Sequence, residues 1–345
     1  MRIGRQLKKA RRSLYSLGLR IAEAWALFLH DESYERWGRL LGSWAYWILV
    51  SQRQRAHRHI QLAYGHAPDA PEIRKIALES FQNLCLSGLE CLRFARVGPS
   101  DLLGRTTVKG WEHAEAASRE GRGGIFVTGH MGNWELAAAL VAARGLPMNV
   151  VARHIYLEPL NRRLVGIRSR MGVRTIYRDS SMRPMIRCLK ENQFLGILPD
   201  QDVRRVGGIY VEFFGRPALT PVGPALLAIA SGAPLLLARD IRLPHGRHLV
   251  TIDPPVYADR RAPREQEIRR LVTLYTRRLE EFVREHPGQW VWVHRRWRTR
   301  PSQAGGERNA RAPSEKRVGS ACNRPERGVV GTPGSSGKTA PSMPG

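Results

Sequence analysis

The chain has 345 residues, enough to bury a large hydrophobic core, and we expect one large domain with a single active site. Its 56 Lys and Arg residues against 30 Asp and Glu residues give a formal charge of +26, more than solubility requires, which indicates an anionic partner. Nucleic acid, an acidic lipid and an acidic protein all meet this requirement. The sequence has no zinc-finger, helix-turn-helix or RNP-like pattern, which argues against nucleic acid.

Cysteine usage points to a reducing compartment. Cys85, Cys91, Cys188 and Cys322 form neither a Cys-x-x-Cys pair nor the spacing of a secreted disulfide framework.

The first 33 residues predict attachment to a membrane surface. Basic residues up to Arg12 precede an apolar segment, residues 14–29, that Arg20 and Glu23 interrupt. Charges near the centre of a bilayer are costly, so an amphipathic helix lying in the inner leaflet is favoured over a transmembrane span. No small-residue cleavage site marks a signal peptide. A helix packed on the protein's own core is the alternative.

Residues 34–98 predict a helical subdomain. Apolar positions such as Trp37, Leu40 and Trp44 wrap widely round its first helix, which indicates a core helix or one that faces a membrane. Pro71 begins a further helix. Glu90 stands inside the apolar run of that helix, where we expect it to pair with a buried arginine.

Residues 99–298 predict an α/β core with a mostly parallel central sheet flanked by helices, because short strands alternate there with helices. Strands are expected at 124–128, 148–152, 173–177, 194–198, 209–214, 233–238 and 248–252, and helices at 134–143, 157–171, 181–190, 221–231 and 265–285. Thr220 is expected to cap the helix at 221–231. Residues 299–345 are rich in Pro, Gly, Ser and Arg and predict a disordered basic tail.

His130 is the first candidate catalytic residue. It lies in the tight turn between strand 124–128 and helix 134–143, at the strand end where open α/β sheets bind ligands. Gly129 and Gly132 give this turn backbone freedom, and Asn133 is expected to cap the helix. The backbone N–H groups of Gly132 and Asn133 are candidates for binding an oxyanion.

Glu135 is the expected partner of His130. It follows about one helical turn later, close enough for its carboxylate to bind one imidazole nitrogen and leave the other free to accept a proton. A buried histidine that only holds the turn is the alternative, but the surrounding Gly-His-x-Gly-Asn-Trp-Glu-Leu pattern favours catalysis. No second histidine on the same helical face and no compact His/Cys cluster follows, so no metal is expected.

Charged residues also follow other predicted strands. Arg153 ends the strand at 148–152, which we expect beside the strand of His130, and its planar guanidinium suits phosphate or sugar oxygens. Asp200 and Asp202 follow the strand at 194–198. We expect these carboxylates to orient Arg153 or the pair Arg204 and Arg205.

In these residues the chain resembles the bacterial lipid A biosynthesis acyltransferases, the late lauroyl and myristoyl transferases. Besides the His130 motif, the resemblance covers four further blocks in order: Val-Ala-Arg at 151–153 with Asn161 downstream, Pro-Asp-Gln-Asp at 199–202, Val-Glu-Phe-Phe-Gly-Arg-Pro-Ala-Leu-Thr at 211–220, and Trp-Val-Trp-Val-His-Arg-Arg-Trp at 290–297. Together they span about residues 35 to 300.

The resemblance implies transfer of a fatty acyl group from acyl-carrier protein to a hydroxyl of a lipid A precursor or a related glycolipid. It implies a glycerolipid-acyltransferase-like α/β fold with an N-terminal helical membrane-associating subdomain, and no cofactor besides the acyl donor. It implies His130 and Glu135 as the catalytic dyad. The substrate-binding residues that it implies are Arg153, Asn161, Asp200, Asp202 and Arg216.

The implied partners are acyl-carrier protein, an anionic glycolipid acceptor and the cytoplasmic face of the inner membrane. Two alternatives remain open. An acyltransferase of another phosphoglycolipid or of a lysophospholipid shares the His-x-x-x-x-acid motif, although the lysophospholipid enzymes usually carry Asp and a Glu-Gly-Thr-Arg-like block, neither of which is present. A non-catalytic basic membrane-binding protein leaves the His130 motif unexplained.

Overall fold

The structure is a computed structural model that describes residues 18, 20–22, 24–67, 70–94, 98–178, 181–203 and 207–301. All of these belong to one unit, Met1–Ala310. The whole basic segment before residue 18 and nearly all of the predicted tail lie outside the described residues, as do Arg204 and Arg205.

Helices dominate up to residue 105, and strands alternate with helices after it. The helices are α1 (Asp31–Ile48), α2 (Val50–Tyr64), α3 (Pro71–Arg93), α4 (Pro99–Arg105), α5 (Trp111–Arg119), α6 (Trp134–Ala143), α7 (Glu158–Arg170), α8 (Arg183–Lys190), α9 (Gly223–Ser231) and α10 (Arg264–Glu285). The strands are β1 (Thr106–Lys109), β2 (Gly124–Val127), β3 (Met148–Ala152), β4 (Val173–Tyr177), β5 (Phe194–Ile197), β6 (Gly208–Phe213), β7 (Arg216–Pro221), β8 (Leu235–Arg242) and β9 (His248–Ile252). Residues 24–28 are also helical.

A seven-stranded sheet in the order β1-β9-β8-β2-β5-β3-β4 forms the centre. Strands β8 and β9 are antiparallel, and the other neighbouring pairs are parallel. The prediction of a mostly parallel sheet flanked by helices is therefore confirmed. Because β2, β5, β3 and β4 run in the same direction, the residues that follow them meet at one edge of the sheet.

The predicted bounds of β3, β4, β9 and α6 agree with the structure residue for residue. The predicted role of Thr220 is wrong. Thr220 lies inside β7, fully buried, and α9 begins at Gly223 after Val222, without a side-chain cap. Residues 216–221 extend because they pair with β6 in a separate two-stranded hairpin, and this pairing overrides the local capping signal.

Apolar side chains pack on both faces of the sheet. In β2, Phe126 packs on one face with Leu140 of α6, while Ile125 and Val127 pack on the other face with Ala225 of α9. This alternation follows from the two-residue period of a strand. Because both faces are covered, polar ligands reach the strands from their ends.

Helix α1 packs closely against α3. A Cβ atom added at Gly42 would lie 2.4 Å from the Cα atom of Gln82, and one added at Gly38 would lie 2.4 Å from Leu86 Cδ2. The two backbones can approach this closely only because both α1 positions are glycine. Among the described residues, no helix is long and apolar enough to cross a membrane.

Candidate active site

The turn that carries His130 joins β2 to α6 and can be built only with glycine at two positions. A Cβ atom at Gly129 would lie 2.5 Å from Leu279 Cδ1 and 3.2 Å from Asp200 Oδ2. Gly132 has φ +54, and a Cβ atom there would lie 2.1 Å from the carbonyl oxygen of Asp240. Asn133 caps α6 as predicted, because its Oδ1 atom accepts the N–H of Leu136 at 3.1 Å.

The carboxylate that contacts His130 is that of Asp200. The Nδ1 atom of His130 lies 2.7 Å from Asp200 Oδ1, and the backbone N–H of His130 donates to Asp200 Oδ2, also at 2.7 Å. Trp290 Nε1 donates to the same Oδ2 atom at 3.0 Å. The strand register explains this pairing: Val127 of β2 is opposite Ile197 of β5, so the residues three positions beyond each of them meet.

The predicted contact between Glu135 and His130 is wrong. The Glu135 carboxylate accepts two hydrogen bonds from the Arg168 guanidinium on α7, at 2.8 Å from Nε and 2.6 Å from Nη2. Both side chains are nearly buried, at 10% and 12% exposure. A buried carboxylate must be neutralised, and the paired donors of an arginine do so better than a neutral imidazole.

Asp200 remains ionised although it is buried. Burial alone would raise the pKa of this carboxyl, but the His130 imidazole and the hydrogen bonds from His130 hold it below its usual range. An ionised carboxylate only accepts hydrogen bonds, so the Nδ1 atom of His130 carries the proton in this pair. The Nε2 atom is then free to accept a proton, and the side chain of His130 is 18% exposed, within reach of a substrate.

Gln201 and His294 complete the surroundings of His130, and the sequence alone assigned neither of them a role. The amide Nε2 atom of Gln201 lies 3.2 Å from His130 Nε2 and 3.3 Å from His294 Nε2. The two imidazole rings are 4.4 Å apart, and the Trp134 ring meets His130 edge-on at 4.9 Å. Burial, together with nearby His130, lowers the pKa of His294 to about 3, so His294 is neutral near pH 7. Both residues belong to sequence blocks that carried the resemblance, and this was the available signal.

The predicted oxyanion donors are wrong, because their N–H groups are already used inside the protein. Gly132 donates to the carbonyl oxygen of Gln289 at 3.1 Å, and Asn133 donates to Asp240 Oδ2 at 2.6 Å. The N–H of Met131 donates to the Gly129 carbonyl oxygen at 2.8 Å. An oxyanion in this site must therefore find donors elsewhere.

A buried network of four charged groups contacts Asn133 and so holds the turn between β2 and α6. Asn133 Nδ2 donates to Glu90 Oε2 at 2.7 Å, and Glu90 Oε1 pairs with Arg242, which confirms the predicted pairing of Glu90 with a buried arginine. His248 lies between Asp240, at 2.9 Å, and Glu90, at 3.3 Å. Burial opposes protonation of His248, but the carboxylates of Asp240 and Glu90 raise its pKa to about 9. The two anions and two cations balance, which allows such a network to be buried.

Arg153 follows β3 and is exposed, without a hydrogen bond or ion pair to another described residue. Strand β5 lies between β2 and β3, so Arg153 is not on the strand next to His130 as predicted. Two strand spacings separate the strands by roughly 10 Å. A phosphorylated substrate can span that distance, so Arg153 stays a candidate for substrate binding.

The other predicted substrate-binding residues have partners within the protein. The Asn161 amide accepts from the Ile155 N–H at 3.0 Å and donates to the Tyr177 hydroxyl at 2.8 Å, which fixes the loop after Arg153. Asp202 accepts from the N–H of Thr299 at 2.5 Å and from its hydroxyl at 2.9 Å. Arg216 donates to the Leu62 carbonyl oxygen at 2.7 Å. Since Asp200 binds His130 and Asp202 binds Thr299, the prediction that these carboxylates orient Arg153 is wrong.

Fold and site together define an α/β protein with a carboxylate-paired histidine at the carboxyl edge of a parallel sheet. Within the described residues, no group of three or more His, Cys, Asp or Glu side chains could hold a metal ion. The chain belongs to a known family: the family model described as bacterial lipid A biosynthesis acyltransferase matches residues 3–299.

Individual relatives match over different lengths. The chain is 32% identical to a phosphatidylinositol mannoside acyltransferase of Mycobacterium tuberculosis over 133 residues, which is 37% of this chain and 42% of that protein. It therefore spans less than half the length of this relative. It is 25% identical to the lipid A biosynthesis lauroyltransferase of Escherichia coli K12 over 274 residues, or 77% of this chain and 85% of that protein.

A solved 1-acyl-sn-glycerophosphate acyltransferase from Thermotoga maritima covers 72% of this chain and 97% of its own, with 15% identity and a TM-score of 0.34.

Proposed function

We propose that the protein transfers a fatty acyl group from acyl-carrier protein to a hydroxyl of a phosphorylated glycolipid, a lipid A precursor or a relative of it. The observation that carries this proposal is the pair of His130 and Asp200, in which Asp200 binds Nδ1 and leaves Nε2 as the proton-accepting nitrogen of a partly exposed imidazole. The family and the named activities of its relatives support acyl transfer to a glycolipid.

In the proposed reaction, Nε2 of His130 removes the proton of the acceptor hydroxyl while its oxygen attacks the thioester carbonyl carbon. The new C–O bond forms, the C–S bond breaks, and the proton on His130 passes to the departing thiolate. Asp200 stays ionised and stabilises the imidazolium that forms during the step. This route requires no covalent acyl-enzyme.

Gln201 is the proposed donor to the oxyanion. The N–H groups of residues 130–133 are all engaged within the protein, whereas the Gln201 amide nitrogen lies 3.2 Å from the proposed base. This amide nitrogen faces the Nε2 atoms of His130 and His294. An acceptor hydroxyl that binds His130 replaces one of these contacts and frees an N–H for the carbonyl oxygen.

The net charge of +26 and the exposed Arg153 support an anionic acceptor and an acidic carrier protein as donor. They also support a location at the cytoplasmic face of the inner membrane, where both substrates of the proposed reaction meet. No cofactor enters the proposed step.

Activity of the purified protein tests the proposal. We expect acylated product, identified by mass spectrometry, when lauroyl-acyl-carrier protein is mixed with a lipid A precursor or with a phosphatidylinositol mannoside. His130→Ala should lower kcat by at least about 10³-fold. Gln201→Ala should lower kcat by about 10²-fold with little change in acceptor KM, because an oxyanion contact forms only in the transition state.

His113→Ala is the matched control. His113 lies on α5, which follows β1 at the edge of the sheet, three strand positions from β2, so the activity of this variant should equal that of the wild type. A His130→Ala variant that retains most of its activity would exclude the mechanism. An inactive wild type with every donor and acceptor would favour a non-catalytic membrane-binding protein.

A further inference from the structure

The outward face of α1 exposes an unusual number of large apolar side chains. Trp37, Leu40, Trp44, Trp47 and Ile48 recur at helical spacing and form one stripe, of which Trp47 is 61% and Ile48 73% exposed. Leu49 and Val50 extend the stripe round the corner into α2 and are exposed as well. We call these seven residues the tryptophan face. Monomeric soluble proteins rarely expose contiguous apolar surface of this kind without a partner.

The opposite face of α1 holds the helix in place. Gly38 and Gly42 touch α3 directly, and Tyr46 is 2% exposed in the core. A rotation that buried the tryptophan face would break this close contact between backbones. The tryptophan face is therefore held outward by the fold.

The sequence that carries the tryptophan face has charges of only one sign from Arg36 onward. Between Arg36 and Tyr64 the sequence contains no Asp or Glu, while it contains five arginines: Arg36, Arg39, Arg53, Arg55 and Arg58. The Arg53 guanidinium carbon lies 5.3 Å from the centre of the Trp47 ring. Tryptophan beside arginine suits the boundary between acyl chains and anionic headgroups.

Helix α2 joins one end of the tryptophan face to the loop of His294. Arg55 Nη1 donates to the Val293 carbonyl oxygen at 3.4 Å, and His59 Nδ1 donates to that of Trp292 at 2.9 Å. Both acceptors directly precede His294. Arg55 follows Val50 by five residues, which corresponds to about 7.5 Å of helix.

We infer that the tryptophan face is the surface by which this protein docks on a bilayer that contains anionic phospholipid. Its side chains enter the boundary of the acyl chains, and its arginines bind the phosphates. Docking there brings α2 and the loop of His294 to the membrane, where a lipid acceptor is held. This last step rests on the proposed function, but the docking itself does not require catalysis.

The test is binding of the full-length protein to vesicles, measured by flotation. We expect the wild type to bind vesicles of phosphatidylethanolamine with phosphatidylglycerol, and to bind vesicles of phosphatidylcholine more weakly. Trp44→Glu combined with Trp47→Glu should weaken the partition by at least about tenfold, because two indoles that enter the bilayer on docking are replaced by charges that anionic lipid repels. Both side chains are exposed, so thermal unfolding should be unchanged.

Tyr257→Glu is the matched control, since Tyr257 is also exposed but follows Val256, which pairs with the first residue of β8, at the opposite edge of the sheet from His130. It should bind vesicles like the wild type. His130→Ala should also bind normally, which separates docking from catalysis. Equal binding by the double variant and the wild type would overturn the inference. A second outcome would also overturn it: the wild type is a dimer, the double variant is a monomer, and both bind vesicles equally. The tryptophan face would then pair with a second copy of the chain.

Discussion

The acid that binds a histidine decides which ring nitrogen is left to accept a proton. Asp200 binds Nδ1 of His130, whereas Glu135 belongs to an ion pair with Arg168. The two acids therefore have different tasks: Asp200 orients the proposed base, and Glu135 joins α6 to α7.

Exchanging each carboxylate for an amide separates these tasks. We expect Asp200→Asn to lower kcat by about 10² to 10⁴-fold, because an amide can favour the wrong tautomer of His130. Glu135→Gln should instead destabilise the fold by about 1–3 kcal/mol, because Arg168 loses its charged partner in a nearly buried place.

Urea unfolding and steady-state kinetics measure both effects. Per folded molecule, Glu135→Gln should retain activity within about tenfold of the wild type. A larger catalytic loss in the Glu135 variant than in the Asp200 variant, at equal folded fraction, contradicts this division.

Sequence alone could find His130 but not its partner. The turn is local: a buried strand, two glycines and a cap lie within about ten residues of His130, and each has a direct sequence signal. Asp200 is 70 residues away along the chain, and its contact depends on the register between β2 and β5. A sequence contains no direct signal for that register, whereas Glu135 stood nearby and was therefore chosen.

At the scale of elements, the boundaries that sequence predicted well belong to segments with strong apolar patterns, such as α6 and β9. The prediction that Thr220 caps a helix was wrong because residues 216–221 pair with β6 as a strand, and no local sequence pattern reveals this pairing. The close packing of α1 on α3 was likewise hidden. It depends on Gly38 and Gly42 meeting Leu86 and Gln82 of α3, and no local pattern shows which helix these glycines contact.

Because of this packing, Gly42 of α1 and Gly88 of α3 should differ in how well they tolerate substitution by alanine. Gly42→Ala should destabilise the protein by about 1–3 kcal/mol, because its Cβ would meet the backbone of Gln82. Gly88→Ala on α3 is the control. It has no atom within 4 Å of the added Cβ, so it should be neutral or stabilise by up to about 1 kcal/mol. Urea midpoints compare the two. Equal effects would mean that α1 does not touch α3 at Gly42.

At the scale of the molecule, the buried charges join parts that are far apart in sequence. Glu90 comes from α3, Asp240 and Arg242 from β8, His248 from β9, and Asn133 from the turn of the proposed base. The N-terminal helices and the sheet thus share one buried network, which also contacts the residue that caps α6. Loosening the network should therefore affect both stability and the position of His130.

Because His248 belongs to this network and can lose its proton, the stability of the protein should depend on pH. Its pKa is raised from 6.5 to about 9 in the folded protein by Asp240 and Glu90, against the effect of burial. A raised pKa stabilises the folded state fully below pH about 6.5, and this contribution is lost as the pH rises through about 9. A shift of this size corresponds to about 3 kcal/mol. We expect the free energy of unfolding, measured in urea, to fall by an amount of that order between pH about 6 and about 9.

His248→Asn provides the control, because asparagine keeps a donor for Asp240 but does not titrate in this range. The variant should be less stable than the wild type at low pH, and its stability should change much less between pH about 6 and about 9. Parallel pH dependence of unfolding in the variant and the wild type would show that other groups cause the change and that His248 is neutral in the folded protein.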